Sequence, residues 1–101
     1  MGVIRVRGVE NGRMAVDVLV EMDQDPASVG EVYLRTKDDG MWYSIASIWW
    51  ERQGTRDCEI AVIYQGLRES APDKLVEIVD RLIRKICRKW GYTSIIVNHE
   101  R

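Results

Sequence analysis

The chain has 101 residues, of which 46% are hydrophobic and 31% are charged, and its formal net charge is -1. This composition excludes a disordered or fibrous chain, and the length predicts a single domain over residues 1–101 with one hydrophobic core. The charges are unevenly spread, because residues 1–40 carry eight acids and five bases whereas residues 72–101 carry four acids and seven bases. Such asymmetry favours internal contacts or self-association as readily as a polyanion partner.

The cysteines and the N-terminal segment indicate a protein that stays inside a cell. Cys58 and Cys87 form no CxxC motif, so neither a disulfide framework nor a zinc site is predicted. Arg5 and Arg7 interrupt the apolar run that a signal peptide would need, and no apolar run approaches the ~20 residues of a transmembrane helix. We expect a cytoplasmic protein, or a host intracellular one if it is viral, with no cofactor, metal or membrane contact.

Five segments of alternating or β-branched residues predict consecutive antiparallel strands. The strands are expected at residues 3–9, 13–22, 30–37, 41–50 and 57–65. Asn11 and Gly12 mark the first hairpin because both residues tolerate positive φ, and Pro26 follows the end of the second strand. These segments together predict a five-stranded antiparallel β-meander.

After residue 65 the hydrophobic period lengthens to about 3.6 residues, which predicts an amphipathic helix over residues 71–90. The apolar stripe of this helix comprises Leu75, Ile78, Val79, Leu82, Ile83, Ile86, Cys87 and Trp90. Ser70 and Asp73 resemble a capping box, and Gly91 follows the last turn. The β-branched residues at 92–97 predict a short sixth strand. The predicted fold class is therefore α+β, with the helix packed on one face of the meander.

Alternate strand residues point to opposite faces, so the two faces of the predicted sheet can be compared. One face is uniformly apolar and should receive the helix, whereas the other mixes apolar, basic and acidic residues. The fourth segment, MWYSIASIWW, has large apolar side chains on both faces, and both sets would need to be shielded from water. Strict alternation places Trp42 and Trp50 on one face and Trp49 on the other, although a bulge near Ser44 or Ser47 would change this arrangement.

The mixed face, centred on the fourth strand, is a candidate protein interface, because aromatic rings flanked by arginine are enriched in interfaces. The candidate interface residues are Tyr33, Arg35, Trp42, Trp49, Trp50, Arg5 and Arg7. A sheet-to-sheet homodimer would cover such a face. We therefore expect a non-enzymatic binding or adaptor module whose partners are itself and an unidentified protein. The small size is compatible with a phage or viral accessory protein. A second hypothesis is that the rings form only the core and rim of a small curled barrel.

Single-stranded nucleic acid is the alternative partner, since bases stack on aromatic rings and arginines follow phosphates. The basic end of the helix would extend such a track through Arg84, Lys85, Arg88 and Lys89. Against this alternative, the mixed face also carries Asp17, Glu21 and Glu59, which repel a polyanion. The basic residues near the end of the helix are equally explained by favourable interaction with the helix dipole.

No group of residues predicts catalysis. His99 lies two residues from the C-terminus, where chain ends commonly fray, so it is a poor general base. Cys58 and Cys87 occupy apolar patterns and are interpreted as small core residues. The acids around residues 23–25 and 38–39 are better explained by turns than by a cation site.

Overall fold

A computed structural model describes residues 2–11, 14–36, 40–65 and 73–101, and the side chains of residues 2–16 and 36 lie outside this description. The elements in chain order are β1 (Gly2–Asn11), β2 (Met14–Met22), β3 (Gly30–Thr36), β4 (Trp42–Gln53), β5 (Asp57–Tyr64), α1 (Asp73–Lys89) and β6 (Ser94–Glu100). The strands form one sheet in the order β1-β2-β3-β4-β5-β6. The predicted α+β fold class is confirmed.

The first five strands pair antiparallel with their sequence neighbours, as the turn residues predicted. The sixth strand is also present, and it joins β5 in the parallel direction. A parallel neighbour requires a long crossover connection, which α1 supplies. In the described part of the chain β1 and β6 are the two sheet edges and do not pair, so the sheet does not close into a barrel.

The helix packs on the face of the sheet that the sequence predicted to be apolar. Eight of its residues are buried, namely Leu75, Val76, Ile78, Val79, Leu82, Ile83, Ile86 and Cys87. Their sheet partners in the core include Val18, Val20, Val32, Cys58, Ile60 and Val62. We call this side of the sheet the helix face and the opposite side the outer face.

The C-terminus of α1 ends on a Schellman motif. Gly91 has a φ of 95°, its N–H bonds the carbonyl of Arg88, and the N–H of Tyr92 bonds the carbonyl of Cys87. These bonds satisfy carbonyls that the helix would otherwise leave unpaired. The predicted cap at Ser70 lies outside the described residues, and the described helix is neither long nor apolar enough to cross a membrane.

Candidate interface on the outer face of the sheet

A β-bulge in β4 decides which tryptophans share a face. Ser44 pairs with Tyr33 and Ala46 pairs with Val32, so Ile45 is an extra residue between two consecutive pairs. An extra residue reverses the alternation of side chains on either side of it. Trp42 and Trp49 therefore lie together on the outer face, whereas strict alternation had separated them.

The outer face carries a band of apolar and aromatic side chains with acids around it. Its described residues are Asp17, Leu19, Glu21, Glu31, Tyr33, Arg35, Trp42, Ser44, Ser47, Trp49, Arg52, Asp57, Glu59, Ala61, Ile63, Ser94, Ile96, Asn98 and Glu100. Trp49 is 45% exposed and Ile96 is 46% exposed. No described element packs over this face, so these side chains have only their sheet neighbours as cover.

Arg35 is held in place by two neighbours on the outer face. Its Nη2 donates a hydrogen bond to Asp17 Oδ2 at 2.6 Å, and its guanidinium carbon lies 4.6 Å from the ring centroid of Trp42. Asp17 and Trp42 are the cross-strand partners of Arg35 on the two sides. The ion pair and the cation–π contact together fix the orientation of the Trp42 ring, which interface anchors require.

Trp49 lies at the far end of the same band. Its indole N–H donates to Ser47 Oγ at 2.9 Å, so the ring lies along β4. Ser47 is 8% exposed and Ala61, directly opposite Trp49, is 2% exposed. The large ring therefore shields small residues beside it while keeping nearly half of its own surface accessible. Such a partly exposed ring with a satisfied polar atom is well suited to contact another protein.

The described charges of the outer face are mainly negative. Glu21 and Glu31 are cross-strand partners beside Tyr33, and Ser44 Oγ donates a hydrogen bond to Glu31. Burial raises the pKa of Tyr33, and the charges of Glu21 and Glu31 raise it further. Glu59 adds a further acid next to β6, and its cross-strand partner in β4 is Arg52, which is ion-paired with Asp57. The aromatic band is thus surrounded by a field that attracts cations and repels polyanions.

Trp50 is separated from the other candidate anchors, because it lies on the helix face. Its indole N–H donates to the carbonyl of Asp23 at 2.9 Å. Its ring centroid lies 6.0 Å from that of Trp90 and 5.8 Å from that of Tyr92. These three rings close the end of the core beyond the last turn of α1. Trp50 accordingly contributes to the fold and not to the outer face.

The structure describes Arg5 and Arg7 only through their backbone. Arg5 pairs with Leu19, whereas Arg7 lies within a register shift between Val6 and Val9 and has no registered partner. Their side chains lie outside the description, so their proposed part in the interface stays a prediction.

The basic residues of α1 do not extend the aromatic band, because α1 lies on the helix face and the sheet separates them. Lys85, Arg88 and Lys89 are exposed on the far side of the molecule. Arg84 is engaged within the fold, since its Nε donates to Asp80 at 2.7 Å and its Nη1 donates to the carbonyl of Ile95 at 2.8 Å. The two halves of the predicted nucleic-acid track are therefore not brought together.

His99 takes part in a hydrogen-bond network that sequence reasoning missed. Its Nδ1 lies 2.9 Å from Tyr64 Oη, and its Nε2 lies 2.9 Å from Asp80 Oδ1. A carboxylate only accepts, so Nε2 carries a proton and, in the neutral ring, Nδ1 accepts from the Tyr64 hydroxyl. The expectation of a frayed end is wrong, because β6 extends to Glu100. The alternation of Ile95, Val97 and His99 was the available signal.

This network ties α1 to β5 and β6 and keeps Asp80 ionised. Burial alone would raise the pKa of Asp80, but hydrogen bonds from His99 and Arg84 outweigh burial and lower it. Burial raises the pKa of Tyr64, so its hydroxyl remains a proton donor. Both ring nitrogens of His99 are thus occupied by protein groups, which leaves neither to act on a substrate.

The thiols are equally enclosed. Cys58 and Cys87 are both 0% exposed, and burial raises the pKa of Cys87 to about 12. A buried, protonated thiol is a poor nucleophile. Among the described residues no group of acids, histidines and cysteines could hold a metal ion. A depression of about 150 Å³ lies between Glu21, Asp23, Val29 and Glu31, which is smaller than typical ligand pockets.

Comparisons of the chain with protein-family profiles, with curated proteins and with solved structures found no match. Function must therefore be argued from the geometry of this chain.

Proposed function

We propose that this chain is a non-enzymatic protein-binding module whose outer face, centred on Tyr33, Trp42 and Trp49, is the binding surface. The observation that carries the proposal is the bulge at Ile45, which brings two tryptophans to the one face that no described element covers. Large exposed apolar areas rimmed by polar residues are typical of protein interaction sites. Pre-oriented aromatic rings are their usual anchors.

The charge of the outer face indicates the kind of partner. Glu21, Glu31 and Glu59 surround the aromatic band, whereas the described bases are already ion-paired, Arg35 with Asp17 and Arg52 with Asp57. A sheet-to-sheet homodimer, the arrangement first expected from the sequence, would bring two copies of this mainly acidic rim into one interface. Like charges facing each other across an interface are unfavourable. A partner protein with basic residues around an apolar patch is the better complement.

Single-stranded nucleic acid is less well supported by the same geometry. The acidic residues beside Tyr33 would repel phosphates, and the exposed basic side chains of α1 lie on the opposite side of the sheet. We expect no quenching of tryptophan fluorescence by oligothymidylate at low salt. Quenching that fades as salt rises would instead favour the nucleic-acid alternative.

The proposal is tested by photo-cross-linking in the cell from which the chain comes. A photoreactive phenylalanine analogue replaces Trp49 on the outer face, and in a matched control it replaces Lys85, which is exposed on the opposite side. We expect a discrete protein adduct from position 49 alone, and its loss when Trp42→Glu is added to a chain that remains folded by circular dichroism. An adduct of twice the chain mass would indicate a sheet-to-sheet homodimer. Equal adducts from both positions, or none, would contradict the proposal.

A further inference from the structure

The edge strand β6 presents a row of backbone groups that no described strand pairs. Ser94 N–H donates to the carbonyl of Arg56 on the β5 side at 3.1 Å. In a parallel β-sheet, each residue directs its N–H and C=O to the same neighbouring strand, and successive residues alternate between the two sides. Ser94 and every second residue after it therefore bond β5. The intervening residues direct their N–H and C=O groups to the open edge, and they are Ile95, Val97 and His99.

Apart from Arg84, which donates to the carbonyl of Ile95, the middle of this edge lacks the features that usually protect an edge strand. Such strands are commonly shielded by charged side chains, proline or bulges. The β6 sequence SIIVNHE has neither charge nor proline before its last two residues, and its pairing with β5 has no register shift. Ile96 is 46% exposed on the outer face. Within the described part of the chain, no other strand pairs with this edge.

We propose that β6 pairs antiparallel with β6 of a second copy about a two-fold axis at Ile96, which joins the two sheets edge to edge. This inference is independent of what binds the outer face. The register follows from the side chains. With the axis at Ile96, Ile96 meets its own copy, Ile95 meets Val97, and Ser94 meets Asn98, so apolar residues oppose apolar ones and polar oppose polar.

An axis at Val97 is less favourable, because it would place Ile95 opposite His99 and Ile96 opposite Asn98. The open-edge groups of Ile95 and Val97 would bond each other across the Ile96 axis as hydrogen-bonded pairs. Arg84 already donates to the carbonyl of Ile95. A carbonyl oxygen has two lone pairs, so it can also accept from the partner's backbone.

The charges of α1 complement this two-fold arrangement. Asp80 contacts His99 and Arg84 contacts Ile95, so α1 runs antiparallel to β6 and the axis at Ile96 lies close to the level of Arg84. The residues on this side of α1 are acidic in the first half, at Asp73, Glu77 and Asp80, and basic in the second half, at Arg84 and Arg88. The two-fold axis makes the two copies of α1 run in opposite directions. The acidic half of each helix therefore lies level with the basic half of the other.

Disulfide trapping tests both the pairing and its register in the full chain. In the proposed register, residue 96 and its copy form a non-hydrogen-bonded pair, with Cα atoms about 4.5 Å apart. That separation is within the range for a disulfide. Ile96→Cys should therefore oxidise to a covalent dimer. The matched control is Asn98→Cys, which is also exposed on the outer face but lies about 13 Å from its copy. Native Cys58 and Cys87 are buried, so the unmodified chain provides the background.

At a chain concentration of about 10 µM we expect Ile96→Cys to cross-link about a hundredfold faster than Asn98→Cys, because pairing raises the effective thiol concentration to the millimolar range. Equal rates for the two variants would overturn the pairing, and faster cross-linking of Val97→Cys would overturn the register. Light scattering provides a second readout. The unmodified chain should be a dimer and Ile96→Lys a folded monomer. A chain that stays monomeric at all concentrations and fails to cross-link at Ile96→Cys would refute the proposal.

Discussion

Adjacent tryptophans of β4 should respond very differently to truncation, because pairing with β5 places Trp49 on the outer face, opposite Ala61, and Trp50 on the helix face, opposite Ile60. Trp50 contacts the rings of Trp90 and Tyr92, and its indole N–H bonds a backbone carbonyl. Trp50→Ala should lower the free energy of unfolding by about 3 kcal/mol, the lower end for tryptophan truncation, because the ring is half-buried. For a chain of this length the melting temperature should fall by roughly 15 °C.

Trp49→Ala should have a much smaller effect on stability. Trp49 is 45% exposed, and its hydrogen bond to Ser47 is a contact between neutral groups. We expect a loss of about 1 kcal/mol or less. Urea unfolding followed by far-ultraviolet circular dichroism measures both variants without relying on tryptophan fluorescence. Equal losses, or a greater loss for Trp49→Ala, would refute the assignment of these two rings to opposite faces.

Three further outcomes follow from the helix end, the polar network and the thiols. Gly91→Ala should lower the free energy of unfolding by about 1 kcal/mol, since a φ of 95° strains a residue with a Cβ; a neutral effect in thermal melts would contradict the Schellman end. The pKa of Asp80 is lowered in the fold, so its stabilisation is present above an unfolded pKa of ~3.9 and is lost as pH falls through its folded pKa. In urea titrations at several pH values, Asp80→Asn should therefore reduce the fall in the free energy of unfolding at acidic pH. An unchanged fall would show that the Asp80 carboxylate does not cause it. Cys58 and Cys87 should resist a disulfide thiol reagent at about pH 8 until urea unfolds the chain, because their pKa values are raised by burial; rapid labelling of the native chain would show that the core is open.

The order of the elements could be predicted because each leaves a local signal. Alternation, turn residues and the change to helical periodicity in α1 depend only on neighbours in the chain. The apolar stripe from Leu75 to Cys87 is buried as its spacing predicted. The parallel direction of β6 was not predictable in the same way, because it depends on which edge of the sheet the crossover reaches.

The candidate site was only partly predictable. Tyr33, Arg35 and Trp42 lie together, but the grouping of Trp42 with Trp49 depends on Ile45 being an extra residue. A bulge is decided by pairing with β3 and has no strong signal within β4 itself. The position of His99 depends on contacts with residues distant in sequence.

The measurement that tests the central claim most directly is solvent access to the ring C–H protons of Trp49 and Trp50 in a carbon-13-labelled chain. A soluble gadolinium chelate broadens the nuclear magnetic resonance signals of accessible protons. With single substitutions used to assign the signals, we expect stronger broadening of the ring protons of Trp49, which is 45% exposed, than of those of Trp50, whose ring packs against Trp90 and Tyr92. Equal or greater broadening of the Trp50 ring would contradict the placement of Trp49 on the outer face, and with it the assignment of the outer face as the binding surface.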